Sequence, residues 1–313
     1  MNPPATSAPG QALSVRAHAK INLGLQVSGR RADGYHDLRT IFQSISLHDT
    51  LVLSPRDGAF ELGCREAGVP LDHRNLVWKA GALLWRALGR TGDPRGVAIE
   101  IRKRIPPQAG LGGGSADGAA ALVALARMWG VAPGEGTLAR LAAELGADVP
   151  FFLIGGTALG LGRGDEISAR ADEPRSWVVL VLPGFGIPTS AAFEWYDEDA
   201  GARTLPSPSA GSLGNDLEAP VVRRHPEIGE ILATVRGLGA ARTSMSGSGS
   251  AVFGLFADRQ SARGAADALA GRRWRVRLSR TLSRAEYARR SAPGGTHGTH
   301  GSRLVAGRQS RID

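Results

Sequence analysis

Residues Pro106 to Leu125 read PPQAGLGGGSADGAAALVAL. Four glycines fall between Gly110 and Gly114, and beyond Gly118 alanine, leucine and valine continue with no breaker before Gly130. Glycine loses more backbone freedom on folding than any other residue, so a loop this bare is costly to order. The cost is justified where a ligand must approach the backbone itself. Ser115–Trp129 is expected to be a helix, with Leu122, Leu125, Ala126 and Trp129 on one apolar face. The first turn of a helix has N–H groups without partners and a partial positive charge. A glycine loop feeding such a turn is an anion site. This one lacks the Gly-Lys-Ser/Thr of the Walker loop and the third glycine of the dinucleotide fingerprint. Two readings stay open from the loop alone: a phosphate cradle of another kind, or a hinge.

The rest of the chain limits the alternatives. With 313 residues and 42% apolar content, about two domains with real cores are expected. No apolar run reaches the ~18 residues of a membrane span. The opening MNPPATSAPGQ has neither the basic nor the apolar segment of a secretory leader and reads as a flexible tail over 1–13. Cys64 is the single cysteine, so no internal disulfide can form, which fits a cytoplasmic protein. The net charge of +9 suggests a nucleic-acid partner until it is located. From Gly271 to Asp313 there are 11 arginines against 2 acidic residues, while the remainder is balanced at 27 of each sign. Residues 291–313 are Gly/Ser/Thr-rich and non-periodic, and read as a disordered basic tail rather than a binding surface. A nucleic-acid partner is therefore not expected, and the oligomeric state is not readable.

Strands are expected at Val15–Ala19, Phe42–Leu47, Thr50–Ser54 and Val97–Ile101. One helix should run from an Asn75 cap to Gly89, and another from a Thr137 cap to Gly146. Pro150 and the following Phe-Phe suggest a break and then a buried strand. Ala169–Arg175 reads as a linker, after which strands and helices alternate from Trp177, as in an α+β or split βαβ domain. A second glycine-rich stretch, TSMSGSGSAVFGLF, places Ser246, Gly247, Ser248 and Gly249 immediately before a strand. It is either a hairpin turn or a second loop facing the same ligand. The chain has 35 arginines but only three lysines, Lys20, Lys79 and Lys103. Where arginine serves the surface, a lysine can mark a place that needs a compact ammonium. Lys20 and Asn22 alternate with Ile21 and Leu23 on an early strand and share a face.

Three segments, AKINLGL, PPQAGLGGGSADGAAAL and SMSGSGSAVFG, in this order and spacing, resemble the signature motifs of the GHMP kinases, small-molecule kinases of galactose, homoserine, mevalonate and related alcohols. GADVPFF, GIPTSAAF and the longer AKINLGLQVSGRRADGYHDLRTIFQSISL narrow the likeness to a branch acting on a cytidyl-linked sugar alcohol of the non-mevalonate isoprenoid route. The resemblance covers roughly residues 14–285. It implies an α+β architecture of two domains: a ribosomal-S5-domain-2-like N-terminal domain over 14–170 and a ferredoxin-like C-terminal domain over 171–290. The site would lie between them. It implies ATP and magnesium as cofactors, with a small-molecule substrate and no membrane partner. Asp148 matches the catalytic aspartate and Lys20 the cation beside it. Without the family, Asp148 would read as a cap after Gly146. Gly110, Leu111, Gly112, Gly113, Gly114 and Ser115 would wrap the phosphates, with Pro107 beside them. Asn75 and Lys103 would line the adenosine, although Asn75 also suits a helix cap. Tyr35 and Phe193 would stack on cytosine, His36 would bond its edge, and Asn22 and Thr189 would be polar substrate contacts. Phe193 reads equally well as helix core when taken alone. Ser246, Gly247, Ser248 and Gly249 would lie near the phosphates. No metal ligand is assigned. Ala116 departs from the pattern, since many relatives have a second serine there.

Overall fold

The computed structural model describes residues 11–134, 136–201 and 214–295. The N-terminal strands are longer than the sequence suggests. β1 (Leu13–Arg30) and β2 (His36–Ala59) pair antiparallel across the turn at Ala32–Gly34. They absorb the three separate strands expected in this region. β3 (Glu61–Cys64), α1 (Leu76–Ala87) and β4 (Arg95–Arg102) follow, with β3 parallel to β4. Asn75 caps α1 as expected, its side-chain oxygen accepting from the Val77 N–H at 2.9 Å. Then come α2 (Gly113–Met128), α3 (Thr137–Leu145), α4 (Phe151–Ile154), β5 (Thr157–Leu161) and β6 (Glu166–Ala169).

The second half is a four-stranded antiparallel sheet. β7 (Trp177–Leu182) leads through α5 (Thr189–Gly201), α6 (Glu218–Arg224) and α7 (Pro226–Gly237) to β8 (Arg242–Met245) and β9 (Val252–Phe256). α8 (Arg259–Ala270) and β10 (Arg275–Arg280) complete it. The order β10-β7-β9-β8 with these connections is ferredoxin-like. α9 (Arg284–Ser291) and β11 (Gly294–Gly295) return to the first half. There the Tyr287 hydroxyl donates to the Phe152 carbonyl at 2.5 Å, and β11 extends the first sheet as β11-β1-β2-β4-β3.

Four expectations need correction. Pro150-Phe151-Phe152 opens the one-turn helix α4, not a strand. α3 has Gly136 as its cap, and Thr137 is its first helical residue. Leu13, placed in the leading tail, is already a buried β1 residue. Ser291–Gly295, placed in the trailing tail, is docked: Gly294 and Gly295 pair with Ser14 and Leu13, and the Arg127 guanidinium donates to the Pro293 carbonyl at 2.7 Å. The remainder of both expected tails, residues 1–10 and 296–313, lies outside the described residues.

Two irregularities in the β1–β2 ladder position the site. Register shifts fall between His18 and Lys20 and between Asn22 and Gly24. A one-residue shift sends the following side chains to the opposite face. Leu13, Val15 and Ala17 accordingly pack into the core beneath α1 and α2, whereas Ala19, Ile21 and Leu23 pack into a separate apolar cluster with Val178, Leu180 and Phe253 of the second sheet. Lys20 and Asn22, between the shifts, thus face the space beside α2. A third cluster fills the second half, beneath α7 and α8.

Candidate active site

A cleft of about 940 Å³ lies between the two halves. One wall of it is the glycine loop. Gly112, at φ +68°, is the left-handed cap that starts α2, and the Ala116 N–H returns to its carbonyl at 2.8 Å. No cap side chain covers the first turn of α2, so its free N–H groups are presented to the cleft. Gly110, at φ +71°, touches the second loop so closely that a Cβ there would lie 1.9 Å from the Ser246 carbonyl oxygen. Only glycine fits that backbone. The two glycine loops are therefore packed on one another. The Ser246 hydroxyl donates to the Gly110 carbonyl at 2.9 Å, and the Ala251 N–H to the Ala109 carbonyl at 3.2 Å.

At the centre stands Lys20. Its backbone N–H donates to the Leu111 carbonyl at 3.1 Å, tying β1 to the glycine loop. Its ammonium donates to Asn22 Oδ1 at 2.5 Å and lies 3.5 Å from the Asp148 carboxylate. Asn22 is oriented in turn, because its amide donates to Thr40 Oγ1 at 2.8 Å and Thr40 donates to the Gly24 carbonyl at 2.7 Å. The Lys20 ammonium is buried, whereas the Asp148 side chain is 35% exposed and lines the cleft. Asp148 sits in the turn between α3 and α4, and neither of those helix ends uses a side-chain cap there. The cap alternative for Asp148 therefore falls away.

Lys103 is found between two carboxylates, Asp49 at 2.5 Å and Asp117 at 2.7 Å, at the edge of the cleft. Burial opposes its charge, but Asp117 and Asp49 together outweigh that and raise its pKa. Burial pushes the Asp117 carboxyl up to about 7, with Lys103 pulling down and Asp49 adding to the rise. Asp117 Oδ1 is buried without a hydrogen-bond partner. Asp49 Oδ1 meanwhile accepts from the backbone N–H groups of Arg104 and Ile105. The triad thus fixes the segment leading into the glycine loop. Asn75 also reaches the cleft. Its amide donates to the Pro70 carbonyl at 2.7 Å, which leaves one N–H for a ligand.

The far end of the cleft is aromatic. Tyr35 is 56% exposed, and the Arg163 guanidinium lies over its ring at 5.4 Å. His36 is buried and stacked on Phe193, with ring centres 5.0 Å apart. Its Nε2 lies 2.7 Å from Asp197 Oδ1. Thr189 Oγ1 is 3.2 Å from Ser248 Oγ, linking α5 to the second glycine loop.

Most of the residues expected from the sequence share this cleft: Lys20, Asn22, Tyr35 and His36; Asn75, Lys103, Pro107 and Gly110 through Ser115; Asp148, Thr189, Phe193, Gly247 and Ser248. Ser246 and Gly249 do not line it. Ser246 is fully buried and its hydroxyl joins the two loops, so it acts from behind the wall. Asp49, Asp117, Asp197 and Arg163 were not foreseen. Asp49 and Asp197 meet partners 54 and 161 positions away, and neither Asp117, 14 residues beyond Lys103, nor Arg163 carries a local pattern that points to the cleft.

A glycine loop opening a helix onto the cleft, a lysine–aspartate pair and a ferredoxin-like partner domain define a small-molecule kinase of the GHMP class. The model of the GHMP kinases N terminal domain matches residues 75–156, and that of the GHMP kinases C terminal domain matches residues 205–275. The chain is 45% identical over 267 residues to the 4-diphosphocytidyl-2-C-methyl-D-erythritol kinase of Moorella thermoacetica, covering 80% of this chain and 92% of the relative. It is 38% identical to that of Geobacter sulfurreducens, covering 86% and 99%. A crystal structure of 4-(cytidine 5'-diphospho)-2C-methyl-D-erythritol kinase superposes with a TM-score of 0.70 at 38% identity, covering 86% of this chain and 98% of the other. The chain belongs to the 4-diphosphocytidyl-2-C-methyl-D-erythritol kinase family.

Proposed function

We propose that this protein transfers the γ-phosphoryl of ATP to the 2-hydroxyl of 4-diphosphocytidyl-2-C-methyl-D-erythritol, in the cytoplasm, in the methylerythritol phosphate route to isoprenoid precursors. The observation that supports this most is the Lys20–Asp148 pair, 3.5 Å apart, between a glycine loop at one end of the cleft and an aromatic cluster at the other. Phosphoryl transfer needs in-line placement and neutralisation of charge on the moving group rather than covalent chemistry from the protein. The first-turn N–H groups of α2 would hold the β- and γ-phosphates. Lys20, oriented by Asn22, would face the equatorial oxygens. Asp148, on the open side, would accept the hydrogen bond of the substrate hydroxyl and aim its oxygen at the γ-phosphorus. Cytosine would lie on the exposed face of Tyr35, near Phe193.

The donors present fit a magnesium ion that arrives with ATP. Ser115 offers it a hydroxyl in the first turn of α2, on the cleft wall. When bound, the ion would neutralise charge on the phosphate oxygens.

The direct test is incubation with Mg-ATP and the cytidyl substrate, followed by 31P NMR for ADP and a new phosphomonoester. Asp148→Asn should lower kcat by about 10²–10⁴-fold, the usual size of a lost acid–base group, with the KM for ATP unchanged. Wild-type turnover in that variant, with substrate still bound, would remove Asp148 from the chemistry.

A further inference from the structure

His36 is gripped by one face of one helix. Phe193, Tyr196 and Asp197 stand at i, i+3 and i+4 on α5. Phe193 covers the face of the imidazole, at 5.0 Å and 16° between planes. Tyr196 meets the ring in an edge contact at 6.2 Å and 87°. Asp197 Oδ1 meets Nε2 at 2.7 Å. A histidine from the first half of the molecule is thus held on three sides by a helix of the second.

An ionised carboxylate can only accept, so Nε2 must carry the proton. In a neutral ring Nδ1 is then a bare lone pair. Among the described residues Nδ1 has no hydrogen-bond partner, and it is not one of the buried unpartnered atoms. His36 lines the cleft, so Nδ1 is the nitrogen left to a ligand.

We infer that Asp197 is a positioning residue that makes His36 specific for cytosine: by fixing the Nε2–H tautomer it leaves Nδ1 as an acceptor for the exocyclic amine of the base. The inference rests on the cytidyl-substrate reading above. Cytosine presents an N–H donor at position 4, where uracil presents a carbonyl oxygen. Against uracil two acceptors would face each other, and a site built for an N–H rejects the analogue that lacks it far more strongly than an apolar pocket rejects a small change of size. Without Asp197 the ring can exchange tautomers and donate to a carbonyl, so discrimination should fall.

The test compares kcat/KM for the cytidine-diphosphate and uridine-diphosphate forms of the same alcohol. Wild type should prefer the cytidyl form. Asp197→Ala should reduce that preference by about 10–100-fold, the equivalent of one buried hydrogen bond left unmade, mainly through KM for the cytidyl form, with KM for ATP unchanged. Asp197→Asn should retain part of the preference, because its amide oxygen still accepts from Nε2–H. An unchanged preference in Asp197→Ala overturns the inference, including the case where both rates fall together, which is what a merely structural carboxylate would do. Histidine 15N NMR of the wild-type protein provides a second measurement independent of any variant's folding. An Nε2–H signature at His36 is expected, and an Nδ1–H signature overturns the proposal. A wild-type enzyme that phosphorylates neither form defeats the substrate reading instead, and the NMR measurement still decides the His36–Asp197 tautomer.

Discussion

Tyr35 offers the cleanest single-residue test of substrate recognition. More than half its surface is open, so removing the ring should cost the fold little. A base stacked on an aromatic ring is worth roughly 1–3 kcal/mol. Tyr35→Ala should therefore raise KM for the cytidyl substrate about 5–150-fold, leave Tm within a degree or two, and leave KM for ATP unchanged. An unaltered cytidyl KM would make Tyr35 only a cover for Arg163. Phe193→Ala is less clean, because that ring also supports His36. The contrast bears on what sequence can reveal about single residues. Asn75 was legible because a cap acts on backbone two residues away. Lys20 and Asp148 could be matched by motif, but no spacing brings together two residues 128 positions apart. Asp197 lies 161 positions from His36 and has no motif of its own. Burial of Lys103 between Asp49 and Asp117 was equally hidden, although the residue also lines the cleft.

The helix behind the glycine loop has a pH dependence of its own. Asp117 lies in the second turn of α2, where burial raises its carboxyl to about 7. The folded chain therefore holds a proton that the unfolded chain has already released. That contribution to stability is complete below about pH 4 and is lost as pH rises through 7. Asp117→Asn resembles the protonated form at every pH. Its Tm relative to wild type should accordingly rise between pH 5 and pH 8, at no more than about 1.4 kcal/mol per pH unit. Parallel Tm profiles for the two proteins over that window would show that Asp117 does not hold the proton. Other elements show where patterning fails. α2 was expected because its apolar residues repeat with helical period, and it starts two residues earlier only because Gly112 supplies the left-handed cap. α4 was taken for a strand because a short apolar run fits either element. Pro150 begins it, and Gly155 and Gly156, both at positive φ, end it after one turn. The two shifts in β1 left no mark in composition, yet they turn Lys20 toward the cleft.

The two halves should unfold together, because the cluster between them belongs to both. Ile21, Ile45 and Leu111 from the first half pack with Val178, Leu180 and Phe253 from the second, all of them buried. Interfaces within a chain allow relative motion unless they are large and apolar, and this one includes Ala109 and Leu111 of the glycine loop itself. A single calorimetric transition is expected for the wild-type protein. Phe253→Ala should cost about 3–5 kcal/mol, as for other buried aromatic truncations. Because the cavity would open beside the glycine loop, the variant should also bind ATP more weakly. Ile231→Ala is the matched control: it is equally buried and costs about 2–5 kcal/mol, but it lies in the separate cluster of the second half. It should lower Tm without changing the KM for ATP. Equal ATP affinities in the two variants, measured well below both melting temperatures, would mean that the shared cluster joins the domains without shaping the phosphate site.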